Sequence, residues 1–243
     1  MGTPGLSPGS AQRPDVDHTV QRIGKECGLR VTSDSEKAVE AKLDRKPSAP
    51  GGAALAPLRE PVFRRIWVAS FLSNFGQLIL GVGVAWEMTR MTSSPDMVAL
   101  VQTAMMLPLM LVALPAGAIA DTFDRRKIAM LGLGIAAFFG SILSLLALLE
   151  LTFPWLLLIF CSLIGTGVAI YNPAWQSSIG EQVKPADLPA AIALGTISFN
   201  VARSFGPAIG GLIVLTAGAQ AAFAFNALSY LPLILAFYLW QRG

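Results

Sequence analysis

Charged side chains are scarce in this sequence. Asp, Glu, Lys and Arg make up 14% of its 243 residues, and the mean hydropathy is +0.59. Soluble domains usually carry about a quarter charged residues. The deficit argues against an ordinary soluble domain and favours a chain that lies in a membrane. The net charge of +3 is too small to indicate a nucleic acid partner.

Cysteine and histidine are almost absent. Cys27 and Cys161 stand far apart, and the one histidine, His18, lies in a polar stretch. Neither a disulfide framework nor a metal site is therefore predicted. The sequence also has no nucleotide-binding loop and no pairing of a nucleophile with a base. We therefore predict no cofactor, no catalytic residues and no enzymatic activity.

Residues 1–57 lack the apolar run that a secretory signal peptide requires. They contain eight Lys or Arg and seven Asp or Glu, with Gly, Pro and Ser at both ends. This composition predicts a disordered polar tail, to which no function is assigned. The remaining residues, 58–243, are expected to form one bundle of transmembrane helices.

Long apolar runs dominate the chain after the tail. Each has about 20 to 26 residues, and about 20 helical residues cross the ~30 Å hydrocarbon core of a bilayer. The runs lack the polar stripe of a helix on the surface of a soluble protein. The sequence therefore predicts an all-α membrane protein with six transmembrane helices, at residues 66–87, 97–120, 128–149, 154–176, 189–214 and 221–240.

The connections between these spans divide into two kinds. Arg and Lys occur before the first span, between the second and third, between the fourth and fifth, and after the sixth. The connections on the opposite side contain a single basic residue, Arg90. Because positively charged loops tend to stay in the cytoplasm, both termini are predicted to be cytoplasmic. The expected location is the cell (inner) membrane.

Polar residues recur at helical spacing within three spans and share one face of each helix. Such residues either line a water-filled path or join neighbouring helices. Joining is the preferred interpretation for Gly and Ser, and a path is preferred for the amides and the one arginine. The predicted substrate or cavity residues are Asn74, Gln77, Asn172, Gln176, Asn200 and Arg203. The third and sixth spans, with fewer polar groups, are expected to face lipid.

The stretch SFNVARSFGPAIGG, residues 198–211, places Arg203 four positions before Pro207. A proline leaves the carbonyl four residues earlier without its helical partner. Arg203 would then either contact an anionic substrate or only join two helices. The predicted helix-bend motif consists of Gly206, Pro207, Gly210 and Gly211.

The connection GAIADTFDRRK, residues 117–127, has a second distinctive pattern. Asp121 and Arg125 are four residues apart and pair if a helix continues through them. Asp124 is suited to cap the third span. If the charges of this loop merely fixed the topology, the presence of Asp121 and Gly117 would not be explained. The predicted conformational-switch loop consists of Gly117, Asp121, Arg125 and Arg126.

This connection resembles the loop signature between the second and third helices of the major facilitator superfamily. GPAIGG resembles the Gly-Pro signature in the fifth helix of its proton-coupled exporters. The segments NPAWQSSIGEQV and ISFNVARSFGPAIGG are similar to the branch that includes enterobactin-type siderophore exporters. The resemblance covers about residues 62–242. It implies two inverted three-helix repeats, half of a 12-helix fold, and an ion-coupled rocking exporter of a siderophore or drug-like molecule.

The resemblance also implies a partner. Carriers of this superfamily have two six-helix halves, whereas this sequence has six apolar runs. Either the sequence is truncated, which is the preferred interpretation, or two copies form a homodimer. The expected partners are the lipid bilayer, a small-molecule substrate and a second six-helix half. The alternative function is a non-transporting membrane scaffold or an inactive remnant.

Overall fold

The computed structural model describes residues 54–122 and 124–240, without the side chains of residues 113–123. The predicted tail therefore lies almost entirely outside the described residues, together with His18 and Cys27. In the described part of the chain every regular element is helical. Short 3-10 turns, Ala56–Arg59 and Pro185–Asp187, precede the first and last long helices. The long helices are α1 Pro61–Met91, α2 Pro95–Thr122, α3 Arg125–Leu148, α4 Pro154–Gln182 and α5 Leu188–Leu239.

All five long helices are long and apolar enough to cross a membrane, with mean hydropathies between 1.5 and 2.2. For α2 this holds over the described stretch Pro95–Val112. The prediction of an all-α membrane fold is confirmed. The first four predicted spans correspond to α1–α4, and the fifth and sixth predicted spans both lie within α5.

Helix α5 is interrupted at Gly218. Its backbone there has φ 80° and ψ 171°, which only glycine adopts without strain. The residue divides α5 into a first arm, 188–217, and a second arm, 219–239. At ~1.5 Å per residue, each arm is long enough to cross the hydrocarbon core. The predicted outer loop AGAQ, residues 217–220, thus contains a single non-helical residue.

The helix ends follow from local sequence. Helices α1, α2 and α4 each begin at a proline, whose missing N–H costs nothing in the first turn. Asp124 precedes α3, and its carboxylate accepts a hydrogen bond from the backbone N–H of Arg126 at 3.0 Å. The prediction that Asp124 caps the third span is therefore confirmed.

Replacing Asp124 with Ala should lower the free energy of unfolding by about 1 kcal/mol, because a first-turn N–H loses its acceptor. Asp124→Ser keeps an acceptor and should retain most of the stability. Unfolding of the detergent-solubilised chain by increasing SDS measures both values. Equal stability of the parent and Asp124→Ala would contradict the capping role.

Helix α1 lies between the two arms of α5. Gly210 of the first arm approaches α1 closely, since an added β-carbon would lie 3.2 Å from the α-carbon of Ile79. On the opposite side, Gly76 of α1 packs against Ser229 and Asn226 of the second arm. Small residues at these positions allow the close packing that stabilises helices in a membrane.

Helix α4 lies between α2 and α3 in a corresponding way. A β-carbon on Gly165 would lie 2.8 Å from the carbonyl oxygen of Met105 in α2. On the α3 side, a β-carbon on Gly167 would lie 2.5 Å from the carbonyl oxygen of Gly132. Gly165 and Gly167 thus allow α4 to pack closely against both α2 and α3.

The third and sixth spans, which were expected to face lipid, each have one exposed face and one buried face. Helix α3 and the second arm expose large apolar side chains, among them Leu131, Phe138, Leu228, Leu231 and Leu235. Their other faces are buried in the bundle. The second arm in particular buries three polar residues, Asn226, Ser229 and Tyr230, which were not predicted from the sequence.

Candidate substrate cavity

A cavity of about 810 Å³ lies among α1, α2, α4 and α5. Helix α2 packs on α4, where the hydroxyl of Ser162 donates a hydrogen bond to the carbonyl of Ala104 at 3.1 Å. Most of the residues that line the cavity belong to α1 and α2. Gly81 of α1 faces the cavity, with no atom of another element within 4 Å of an added β-carbon.

The cavity wall is mostly apolar, with a few uncharged polar groups. Among the described residues, its polar side chains are Gln77, Thr89, Gln102, Asn172 and Tyr230. Its larger apolar side chains include Trp86, Met105, Met106, Leu109 and Phe199. A mostly apolar wall with a small number of placed polar groups is typical of small-molecule sites.

Of the six predicted substrate residues, Gln77 and Asn172 line this cavity, and Pro207 of the predicted bend motif lines it as well. Asn74 does not line this cavity. Its amide instead donates a hydrogen bond to the hydroxyl of Ser198 at 3.0 Å. That contact joins α1 to the first arm of α5, as the helix-joining interpretation predicts. The remaining three, Gln176, Asn200 and Arg203, are exposed and lie outside the cavity wall.

Arg203 lies near the middle of the first arm, one turn from Phe199 and one turn from Pro207, which both line the cavity. Its side chain has no ion pair or hydrogen bond with any part of the chain that the structure describes. Backbone dihedrals stay helical at Pro207 and leave the helical range only at Gly218. The helix bend at Pro207 therefore stays a prediction.

The glycines of the predicted bend motif have two different surroundings. Gly206 and Gly210 are buried against α1, where a β-carbon on Gly206 would lie 2.8 Å from the β-carbon of Leu78. Gly211 has nothing within 4 Å of such a position. Two of the three glycines thus bring the first arm close to α1.

Tyr230 lines the cavity but was not predicted from the sequence. Its hydroxyl is hydrogen-bonded to the amide of Asn226 at 3.2 Å, and both residues are fully buried. Asn226 and Tyr230 are four residues apart, so a polar stripe was present in the predicted sixth span. Trp86, Thr89 and Gln102, which were also not predicted, line the cavity as well.

The predicted conformational-switch loop lies where α2 is followed by α3. Helix α2 ends at Thr122 and α3 begins at Arg125, so no helix continues from Asp121 to Arg125. The surroundings of Gly117 and the side chain of Asp121 lie outside the described residues. Arg125 donates hydrogen bonds to the carbonyl of Ser177 at 2.9 Å and to the carboxylate of Glu181 at 3.1 Å.

Two further contacts form at the same end of the bundle. Arg126 donates a hydrogen bond to the carbonyl of Tyr238, and its guanidinium lies 5.8 Å from the centre of the Tyr238 ring. Lys184 pairs with Glu60 at 3.3 Å. The basic residues of these connections therefore join α3 to α4, α3 to the second arm, and the turn before α5 to the start of α1.

A family described as transmembrane secretion effectors matches residues 52–243. The chain belongs to this family of the major facilitator superfamily. The resemblance inferred from the two signatures is confirmed. The family consists of transporters rather than enzymes, as predicted from the sequence.

Several curated proteins are similar to the chain. The staphyloferrin A transporter of Staphylococcus aureus is 25% identical over 69% of this chain and 42% of its own length. The enterobactin exporter EntS of Shigella boydii serotype 18 is 31% identical over 65% of this chain and 38% of its own length. The chain thus spans about two fifths of the length of these relatives. No solved structure matches it.

Proposed function

We propose that this chain forms one half of a secondary carrier that exports a siderophore or drug-like molecule from the cell. The observation that carries the proposal is the cavity of about 810 Å³ within a membrane bundle of this family. Two relatives are named as a transporter of staphyloferrin A and an exporter of enterobactin, which supports a small organic substrate and outward transport. Among the residues that line the cavity, Gln77 and Asn172 would contact the substrate.

The half would consist of six transmembrane helices in two inverted three-helix repeats. The break at Gly218 supports this count, because it separates two arms that are each long enough to cross the membrane. The packing supports the repeat, since α1 lies between the two arms of α5 and α4 lies between α2 and α3. The first and fourth of the six helices thus have corresponding neighbours.

A second six-helix half would cover the exposed faces of α2 and the first arm of α5. These faces carry large apolar side chains, which include Met106, Leu107, Met110, Leu111, Phe199, Phe205, Ile209 and Leu212. Arg203 is exposed near the middle of the first arm, where a charge facing lipid is unfavourable. Covering by protein, with water or substrate between the halves, removes this cost.

Transport would occur by ion-coupled rocking of the two halves, which would open the cavity to one side of the membrane and then to the other. The contacts of Arg125 and Arg126 hold α3 to α4 and to the second arm, so α3 would move together with its neighbours. Asp121 would stabilise one of the two states from the adjacent end of α2. The second half is either a further segment of the chain or a second copy.

Both termini are proposed to lie in the cytoplasm. In a background with both native cysteines replaced by Ala, single cysteines at Ser93 and Lys127 test this orientation, since both positions are exposed and lie at opposite ends of spans. An impermeant thiol reagent applied to whole cells should label the cysteine at 93 and leave that at 127 unlabelled. Labelling of the cysteine at 127 alone would show that the orientation is the reverse of the proposed one.

Transport itself is tested with inside-out membrane vesicles that contain the chain, alone and together with a candidate second half. Accumulation of radiolabelled enterobactin or staphyloferrin A, dissipated by an ionophore, would support a coupled exporter. A scaffold or an inactive remnant predicts no accumulation above vesicles without the chain in either arrangement. Chemical cross-linking in the same membranes shows whether a transporting sample contains one copy or two.

A further inference from the structure

The wall of the cavity carries no charged side chain among the described residues. Its polar groups are the amides of Gln77, Gln102 and Asn172, whereas the hydroxyls of Thr89 and Tyr230 are already hydrogen-bonded to the carbonyl of Ala85 and the amide of Asn226. An amide both donates and accepts hydrogen bonds, so it is suited to neutral polar groups of either kind. An ionic group in this cavity would lose hydration without gaining an opposite charge.

The charge of Arg203 lies beside the cavity and is not part of its wall. The residue is exposed on the first arm, although Phe199 and Pro207 on either side of it line the cavity. The ion pairs near the beginning of α1 and the end of α4 involve residues outside the wall as well. Among the described residues that line the cavity, none is therefore charged, and Glu87 and Arg90, next to the wall residues Trp86 and Thr89, pair with each other at 3.5 Å.

Aromatic and thioether side chains supply much of the apolar wall. Trp86 and Phe199 present exposed rings, and Met105 and Met106 lie on the facing helix α2, whereas the ring of Tyr230 is fully buried. Aromatic rings attract one another in offset or edge-to-face arrangements. The flexible, polarisable thioether of methionine adapts to irregular partners and contacts rings favourably. These side chains favour a ligand that contains an aromatic ring.

We infer that the cavity binds an uncharged aromatic molecule that bears a few hydrogen-bonding groups, and that it discriminates against an anionic form of the same skeleton. The inference rests on the proposed function, because it names the substrate class of the carrier. It differs from the expectation from sequence that Arg203 contacts an anionic substrate. The cavity of about 810 Å³ is large enough for such a molecule, since small-molecule sites have ~300–1,000 Å³.

Two fluorescent probes with one skeleton test the discrimination. N-phenyl-1-naphthylamine is neutral, and 8-anilinonaphthalene-1-sulfonate adds a single sulfonate. Each is titrated into the chain in phosphatidylcholine nanodiscs, with energy transfer from tryptophan to the probe as the signal. Subtracting the signal of a Trp86→Phe variant and of empty nanodiscs isolates the energy transfer from Trp86, which lines the cavity. The neutral probe should bind at least about tenfold more tightly, which corresponds to about 1.4 kcal/mol.

A charge placed in the wall should change the preference. Gln77→Lys should raise the affinity for the sulfonate at least about tenfold while lowering that for the neutral probe. Gln102→Lys, at an exposed position of the wall on α2, provides a second variant if Gln77→Lys does not fold. Gln176→Lys is the matched control, because the same substitution there lies outside the cavity and should leave both affinities unchanged.

The possible results separate the inference from the proposed function. Equal binding of the two probes in the parent, or tighter binding of the sulfonate, would overturn the neutral substrate class and leave the carrier proposal intact. No Trp86-dependent signal with either probe would overturn the inference together with the cavity as a binding site. Vesicle transport in that last case would show that the carrier binds its substrate elsewhere.

Discussion

Gly132→Ala should lower the free energy of unfolding of the bundle by about 1–3 kcal/mol, the typical cost of inserting extra atoms into a packed core. A β-carbon at Gly132 would lie 2.5 Å from the carbonyl oxygen of Gly167 and 2.8 Å from the backbone nitrogen of Tyr171. Because both atoms belong to the backbone, no rotamer change relieves the overlap. Helix α3 must therefore move away from α4.

Gly134→Ala on the same helix is the matched control. No atom of another element lies within 4 Å of its added β-carbon, and the loss of a helical glycine should stabilise α3 by up to about 1 kcal/mol. Unfolding by SDS should therefore show changes of opposite sign for the two variants. Gly167→Ala tests the same contact from α4 and should resemble Gly132→Ala. Similar stabilities of Gly132→Ala and Gly134→Ala would contradict this helix crossing.

The helical membrane fold was predictable because its signal is local. Apolar runs of sufficient length and prolines at helix starts stand in the sequence itself, and Asp124 stands directly before the helix that it caps. The break at Gly218 was predictable in place, since it lies within the loop expected at 217–220. Its form was not, because AGAQ contains one non-helical residue rather than a loop.

The cavity was less predictable because helical periodicity shows which residues share a face without showing what that face meets. Asn74 and Gln77 belong to one stripe of α1, yet Asn74 bonds to Ser198 whereas Gln77 lines the cavity. The sequence of the second arm was interpreted as having few polar groups, although its Asn226 and Tyr230 are buried and hydrogen-bonded to each other. Contacts between helices decide both outcomes, and a single sequence does not contain them.

Gly81→Phe should strongly reduce substrate transport while leaving the bundle stable. Gly81 lines the cavity, and its added β-carbon meets no atom of another element within 4 Å, so the ring enters the open space. It would occupy volume that the substrate needs, beside Gln77 and between α1 and α2. Transport and Trp86-dependent binding of N-phenyl-1-naphthylamine should each fall at least about tenfold, equivalent to about 1.4 kcal/mol.

Gly195→Phe separates loss of the cavity from the effect of a large side chain. Gly195 of the first arm also has nothing within 4 Å of an added β-carbon, but it does not line the cavity. Both variants should unfold at SDS concentrations close to that of the parent, and only Gly81→Phe should lose binding of the neutral probe. Full binding by a stable Gly81→Phe protein would show that the ligand lies outside this cavity. An equal loss in both variants would indicate a general effect of bulk on the bundle, because the two positions share their open surroundings and differ in whether they face the cavity.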